Sequence, residues 1–171
     1  MQHTLSVLVE NQPGVLARVA GLFSRRGFNI ESLAVGTTER DDRSRITIRV
    51  DAAQHSIDQM TKQLYKLINV LKVNEMTAEE SIERELLIVR VTASPEQRAD
   101  LIRLGEVFSA RVADVGPTSL IFECVEHPDK LHAFEEILRP YGIKEVVRTG
   151  RVAMRKSAPE RRQGQRMKLL A

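Results

Sequence analysis

Residues 9–30, VENQPGVLARVAGLFSRRGFNI, leave the chain few ways to fold. A strand ends, a Pro-Gly turn follows, a short amphipathic helix runs on, and Gly27 and Asn29 turn it into the next strand. Val15, Leu16, Val19, Leu22 and Phe23 recur at helical spacing, which predicts one apolar stripe laid on a sheet. Asn11 is placed to cap the helix through its side-chain carbonyl, and Pro13 suits the first turn, where a missing N–H does no harm. Gly14 has no side chain, so a small molecule can approach the first free N–H groups, where the helix dipole favours a carboxylate. The turn is therefore a candidate amino-acid site. On its own it also reads as a plain strand-to-helix connection, since turn residues are common and ligand sites few.

The rest of the first half fits around this stretch. Thr4 to Glu10 reads as a strand with Leu5, Val7 and Val9 on one face, and Ile30 to Thr38 as a second with Leu33 and Val35 inward. Arg45 to Asp51 alternates strictly after the charged loop ERDDR. A second helix is expected from Gln54 to Asn69, with Ile57, Met60, Leu64, Leu67 and Ile68 on one stripe, before a strand from Val70 to Met76. The order is β-α-β-β-α-β, with both helices on one sheet face because crossovers are right-handed.

Polar residues 78–85 read as a linker, after which the pattern restarts. A strand spans Leu86 to Thr92, and Ser94-Pro95-Glu96-Gln97 forms a capping box before a helix that Gly105 weakens. Strands follow at Arg111 to Val115 and Leu120 to Val125, then a helix opened by His127-Pro128, then a strand from Lys144 to Thr149. The expected fold class is α+β: two ferredoxin-like β-α-β-β-α-β domains in tandem, at 1–77 and 86–154, joined by the linker and followed by a basic tail at 155–171.

Composition removes several functions. Of the 171 residues 42% are hydrophobic but only 4% aromatic, with no Trp, so stacking platforms for nucleic-acid bases are not expected. No apolar run reaches membrane-spanning length, no signal peptide is visible, and a single cysteine suits a reducing cytoplasm. The tail holds six Lys or Arg and one acid, so the net charge of +3 divides into +5 on the tail and −2 on the body. Without aromatics or a scaffold the tail reads as a solvated extension rather than a nucleic-acid arm. Cys124 alternates into an apolar strand as an inert thiol, and His3, His55, His127 and His132 are too scattered for a metal site. No catalytic residue is expected, for no phosphate loop, nucleophile elbow or CxxC is present.

The stretches Asn11-Gln12-Pro13-Gly14-Val15-Leu16 and Gly27-Phe28-Asn29-Ile30-Glu31-Ser32-Leu33 resemble an ACT domain, a small-molecule-sensing module. Together with Ser44-Arg45-Ile46-Thr47-Ile48 and Lys62-Gln63-Leu64-Tyr65-Lys66-Leu67, they resemble one family: the regulatory small subunit of acetolactate synthase, or acetohydroxyacid synthase. Residues 1 to about 76 carry the likeness; Glu83-Arg84-Glu85-Leu86 also fits it.

The resemblance implies a non-catalytic subunit that activates a large catalytic subunit of branched-chain amino-acid biosynthesis. Thiamine diphosphate, magnesium and FAD would belong to that large subunit and none to this chain. It implies feedback inhibition by valine, with leucine and isoleucine as alternatives, bound where two ACT domains pair side by side as a homodimer. Carried over by position, Asn11, Pro13, Gly14, Val15 and Leu16 would line the site from one chain, and Asn29 and Ile30 from the other. Amides near Gly14 would hold the carboxylate and the carbonyls of Asn11 and Asn29 the ammonium group. The competing expectation is a self-standing ACT-type regulator of another enzyme or of nucleic acid.

Overall fold

Nine-residue strands at the centre of the first sheet follow from their own alternation. A computed structural model describes residues 2–51 and 57–157. The first half runs β1 (Gln2–Glu10), α1 (Val15–Arg25), β2 (Asn29–Thr37), β3 (Arg43–Asp51), α2 (Ile57–Leu64) and β4 (Val70–Met76). The strands lie in the order β2-β3-β1-β4. Antiparallel pairing sets Leu5 against Ile48 and Val7 against both Ile46 and Val73, so every second side chain enters one core. Val15, Val19, Leu22 and Phe23 of α1 close that core with Met60 and Leu64 of α2.

Two expectations for this half change. Val35 pairs with buried Ile46 and so shares the core face as expected, yet it is 47% exposed, because β2 is the edge strand and has no neighbour beyond it to cover it. The second helix ends at Leu64, and Ile68, placed on its stripe, is 87% exposed in the turn that follows. Gln54 to Ser56, assigned to the start of that helix, lie outside the described residues.

The second half runs β5 (Ser81–Thr92), α3 (Arg98–Val107), β6 (Arg111–Val115), β7 (Ser119–Glu126), α4 (Pro128–Leu138), a 3₁₀ turn, β8 (Ile143–Arg148) and β9 (Val152–Arg155). Its sheet has the order β6-β7-β5-β8, with Leu87, Val89, Val91, Leu120 and Phe122 packed beneath the helices. Half of the capping box forms, one turn ahead of its helix: Gln97 Oε1 accepts the Ser94 N–H at 3.2 Å, while the Gln97 N–H goes to the Ser94 carbonyl and α3 starts only at Arg98.

The expected linker is strand from Ser81 onward, and the four-residue β9, counted partly as tail, pairs with it from Ser81↔Arg155 to Arg84↔Val152. The two strands make a ribbon across the face of the first sheet that carries no helices. Ser32 Oγ accepts the Arg151 N–H there at 2.9 Å, and the Arg151 guanidinium meets buried Glu83 at 2.5 Å. Residues 158–171 of the basic tail lie outside the described residues.

Gly105, which weakened α3 on propensity alone, is there for packing. A Cβ added to it would lie 2.7 Å from Cε1 of Phe122, a ring that also packs edge-on against Phe134. Gly105→Ala is therefore expected to destabilise the protein by about 1–3 kcal/mol, although alanine is the better helix former by roughly 1 kcal/mol. A higher urea midpoint for the variant would contradict this packing argument.

Candidate functional site

The turn between β1 and α1 is held from three sides. Glu10 N–H donates to the Asn69 carbonyl at 2.9 Å, and Asn11 N–H to the Asp42 carbonyl at 2.8 Å. Asn11 Nδ2 donates to the Asp41 carbonyl at 2.9 Å, which fixes the amide plane and turns Oδ1 away from that bond as an acceptor. Asn11 does not cap the helix. Gly14 is the N-cap residue, in the left-handed region at φ 82° and ψ −7°, and Pro13 lies in the turn before it. The helix starts four residues after Asn11, too far for its short side chain to reach the first-turn amides.

Gly14 is open. A Cβ placed on it would meet nothing within 4 Å. Val15 N–H reaches back to the Gln12 carbonyl at 3.4 Å, and Arg18 N–H makes the first full helical bond, to the Gly14 carbonyl at 3.1 Å. The amides of Leu16 and Ala17 fall between these and have no acceptor within the helix. Val15 is buried in the core, so it offers the turn only its backbone, whereas Leu16 is 41% exposed beside it. The turn thus joins an unobstructed glycine, a helix N-terminus, an amide carbonyl and one free aliphatic side chain.

Asn29 and Ile30 begin β2 at the other end of the sheet, against Asp51 and Val50. Nine residues of strand place them roughly 30 Å from Asn11. One chain does not bring the two groups together. Instead, Ala20, Ser24, Gly27, Phe28, Asn29 and Ile30 line an open depression of about 500 Å³ beside the end of α1.

Asn69 carries no functional signal in the sequence pattern. It is buried; its Nδ2 donates to Glu10 Oε2 at 2.7 Å and its Oδ1 accepts from Arg18 Nη1 at 2.8 Å. One side chain therefore ties the end of β1 to the first turn of α1. A polar residue between Ile68 and Val70 was the available signal, and it read as no more than the end of a helix.

The other residues set aside keep structural work. Burial pushes the Cys124 thiol up from its usual range, and its Sγ donates to the Phe108 carbonyl at 3.3 Å, so it is a poor thiolate nucleophile. His127 Nδ1 accepts the Asp129 N–H at 3.4 Å as the cap of α4. Among the described residues no cluster of His, Cys, Asp and Glu could hold a metal, and no helix is long and apolar enough to cross a membrane.

Comparison with known proteins covers both halves. Residues 5–72 match the family model described as the AHAS small subunit-like ACT domain, and residues 84–157 match that for the small subunit of acetolactate synthase. The chain is 58% identical over 154 residues to a probable acetolactate synthase small subunit of Archaeoglobus fulgidus, covering 90% of this chain and 96% of that one. It is 51% identical over 152 residues to the acetolactate synthase small subunit of Mycolicibacterium smegmatis, covering 89% of each. The crystal structure of the acetolactate synthase small subunit from Thermotoga maritima superposes with a TM-score of 0.85 at 37% identity, over 93% of this chain and 99% of that one.

Proposed function

This chain belongs to the acetolactate synthase small-subunit family, and from that premise we propose that it is a non-catalytic regulator that activates the large subunit and makes it sensitive to valine. The large subunit, with its thiamine diphosphate, magnesium and FAD, does the chemistry. Two copies of this chain join along the β2 edges, and valine binds twice at the seam.

The observation that carries this reading is the separation of the two halves of the site. A two-fold axis across β2 reverses the strand. It brings Asn29 and Ile30 of one copy to the end where Thr37, Asp42 and Asn11 of the other lie side by side across β3. It also runs the two α1 helices antiparallel along Ala17, Ala20, Gly21 and Ser24, which are small enough for close approach. Valine's carboxylate then meets the amides of Leu16 and Ala17 and passes over Gly14, while its ammonium group donates to Asn11 Oδ1 and to Asn29 of the other copy. Leu16 and Ile30 enclose the isopropyl group. Such a pocket separates branched-chain effectors by only about 1–3 kcal/mol per methylene, so leucine and isoleucine compete at higher concentration.

A ligand held by both copies favours one dimer arrangement over another, and a coupling of about 1–3 kcal/mol gives a several-fold to hundredfold effect on the large subunit. Asn11→Ala and Asn29→Ala are each expected to weaken valine binding about tenfold, the value of one charge-assisted hydrogen bond, with activation of the large subunit retained. Calorimetry on the isolated protein and inhibition curves on the reconstituted enzyme test this. Equal inhibition of variant and parent would remove the site from the turn.

A further inference from the structure

The second sheet has one face that nothing in its own chain covers among the described residues. Alternation along β5 puts Leu87, Val89 and Val91 under the helices and Leu86, Ile88 and Arg90 on the opposite side. Pairing extends that side across the sheet: Leu86 faces Val125, Ile88 stands between Glu123 and Val147, and Arg90 between Ile121 and Glu145. Val125 and Val147 are 54% and 55% exposed and Ile88 38%, an apolar band in direct cross-strand contact. The charges around it pair with one another, Arg90 with Glu145 at 2.8 Å and Arg111 with Glu123 at 2.9 Å. A face with both signs balanced around an apolar centre fits a copy of the same chain better than a strongly charged partner.

The ribbon fixes where this face points. β9 crosses the first sheet from β2, where Arg151 meets Ser32, to β4, where Met154 adjoins Lys72 and Asn74. β5 is antiparallel to β9, so it crosses back toward β2 and carries the second sheet out beyond that edge. Ile82 and Arg84, on the same side of β5 as Leu86 and Ile88, look onto the first sheet across a groove of about 560 Å³ whose far wall includes Ala34 and Thr47, paired on that face. A sheet added at the β2 edge would therefore continue over Leu86, Ile88, Val125 and Val147.

We propose that the open face of the second sheet packs beneath the first sheet of a second copy, so that the two chains embrace instead of meeting at the β2 edge alone. The inference rests on the reading that copies join along β2. Four strands about 4.8 Å apart and three same-face rows about 6.8 Å apart give roughly 400 Å² per face. Counted on both sides of two symmetry-related contacts this is on the order of 1,600 Å², the size of a stable interface.

Hydroxyl-radical footprinting of the full chain, read by mass spectrometry alongside sedimentation equilibrium, tests it. In the dimer, Leu86, Ile88, Val125 and Val147 are expected to label several-fold less than in protein diluted to monomer, with Ile68 unchanged, and the paired change Val125→Glu with Val147→Glu to raise the dimer dissociation constant tenfold or more. Both positions are exposed, so the variant should fold, and the footprint of the parent does not depend on it. A dimer in which these residues label as they do in the monomer overturns the embrace while leaving the β2 seam intact. Protection that appears only when the large subunit is added overturns it and assigns the face to that partner. A parent that stays monomeric overturns both readings.

Discussion

Replacing Gly14 with aspartate is expected to weaken valine binding at least a hundredfold while activation of the large subunit persists. Gly14 has φ 82°, and a residue with a Cβ costs about 1–2 kcal/mol in that region, somewhat less for Asp or Asn. Space adds nothing, since a Cβ there meets no atom within 4 Å. The new carboxylate lies at a helix N-terminus, where the dipole returns roughly 0.3–1 kcal/mol, so the fold survives. Its effect on the ligand is of another size. Two like charges about 4–5 Å apart repel by roughly 3–4 kcal/mol at an effective dielectric of 20, and the amides that would hold valine's carboxylate already have an anion beside them. Gly14→Asn separates the causes, because it keeps the backbone demand and removes the charge. Calorimetry should give a partial loss for Gly14→Asn, the share due to backbone and bulk, and no measurable binding for Gly14→Asp. Equal loss in both would mean that turn geometry or open space, not the absence of a charge, is what glycine supplies.

What the sequence allowed and what it hid divide along one physical line. Leu5, Val7 and Val9 alternate against water, and the partners that bury them, Ile46 and Ile48, alternate in the same way, so the first sheet could be read from pattern alone. The turn from Asn11 to Leu16 was readable because its chemistry is local: a glycine, a helix start and an amide within six residues. Its detail was not, since the bond from Asn11 to Asp41 spans 30 residues and Asn69 reaches Glu10 across 59. The ribbon was hidden for a stronger reason. From Ser81 to Glu85 the pattern is inverted, with Ser81, Glu83 and Glu85 buried and Ile82 exposed, so hydropathy reports a linker where there is a strand. The cation that makes a buried Glu83 tolerable is Arg151, 68 residues further on. No local window contains both.

That pair sets the second large expectation: Arg151→Ala should cost about 3–5 kcal/mol of stability. Glu83 is 4% exposed and Arg151 14%, so removing the cation leaves a carboxylate away from water with its best partner gone. Two neighbours alter the figure. His127 Nε2 lies 3.8 Å from Glu83 and offers partial replacement. Arg49, whose guanidinium is pushed down by burial first and by the Arg151 charge second, is relieved when Arg151 goes. Both effects favour the lower end of the range. Adding Glu83→Gln to Arg151→Ala removes the orphaned charge and should recover roughly 1–3 kcal/mol, which loss of packing alone would not permit. Urea unfolding of the two variants against the parent measures it. Because the Arg151 N–H also anchors the ribbon to Ser32, the variant tests whether the second sheet is held at the β2 edge by charge or by backbone. A cost below about 1 kcal/mol would place the pair among ordinary surface bridges and leave that anchoring to the strand pairing of β5 and β9.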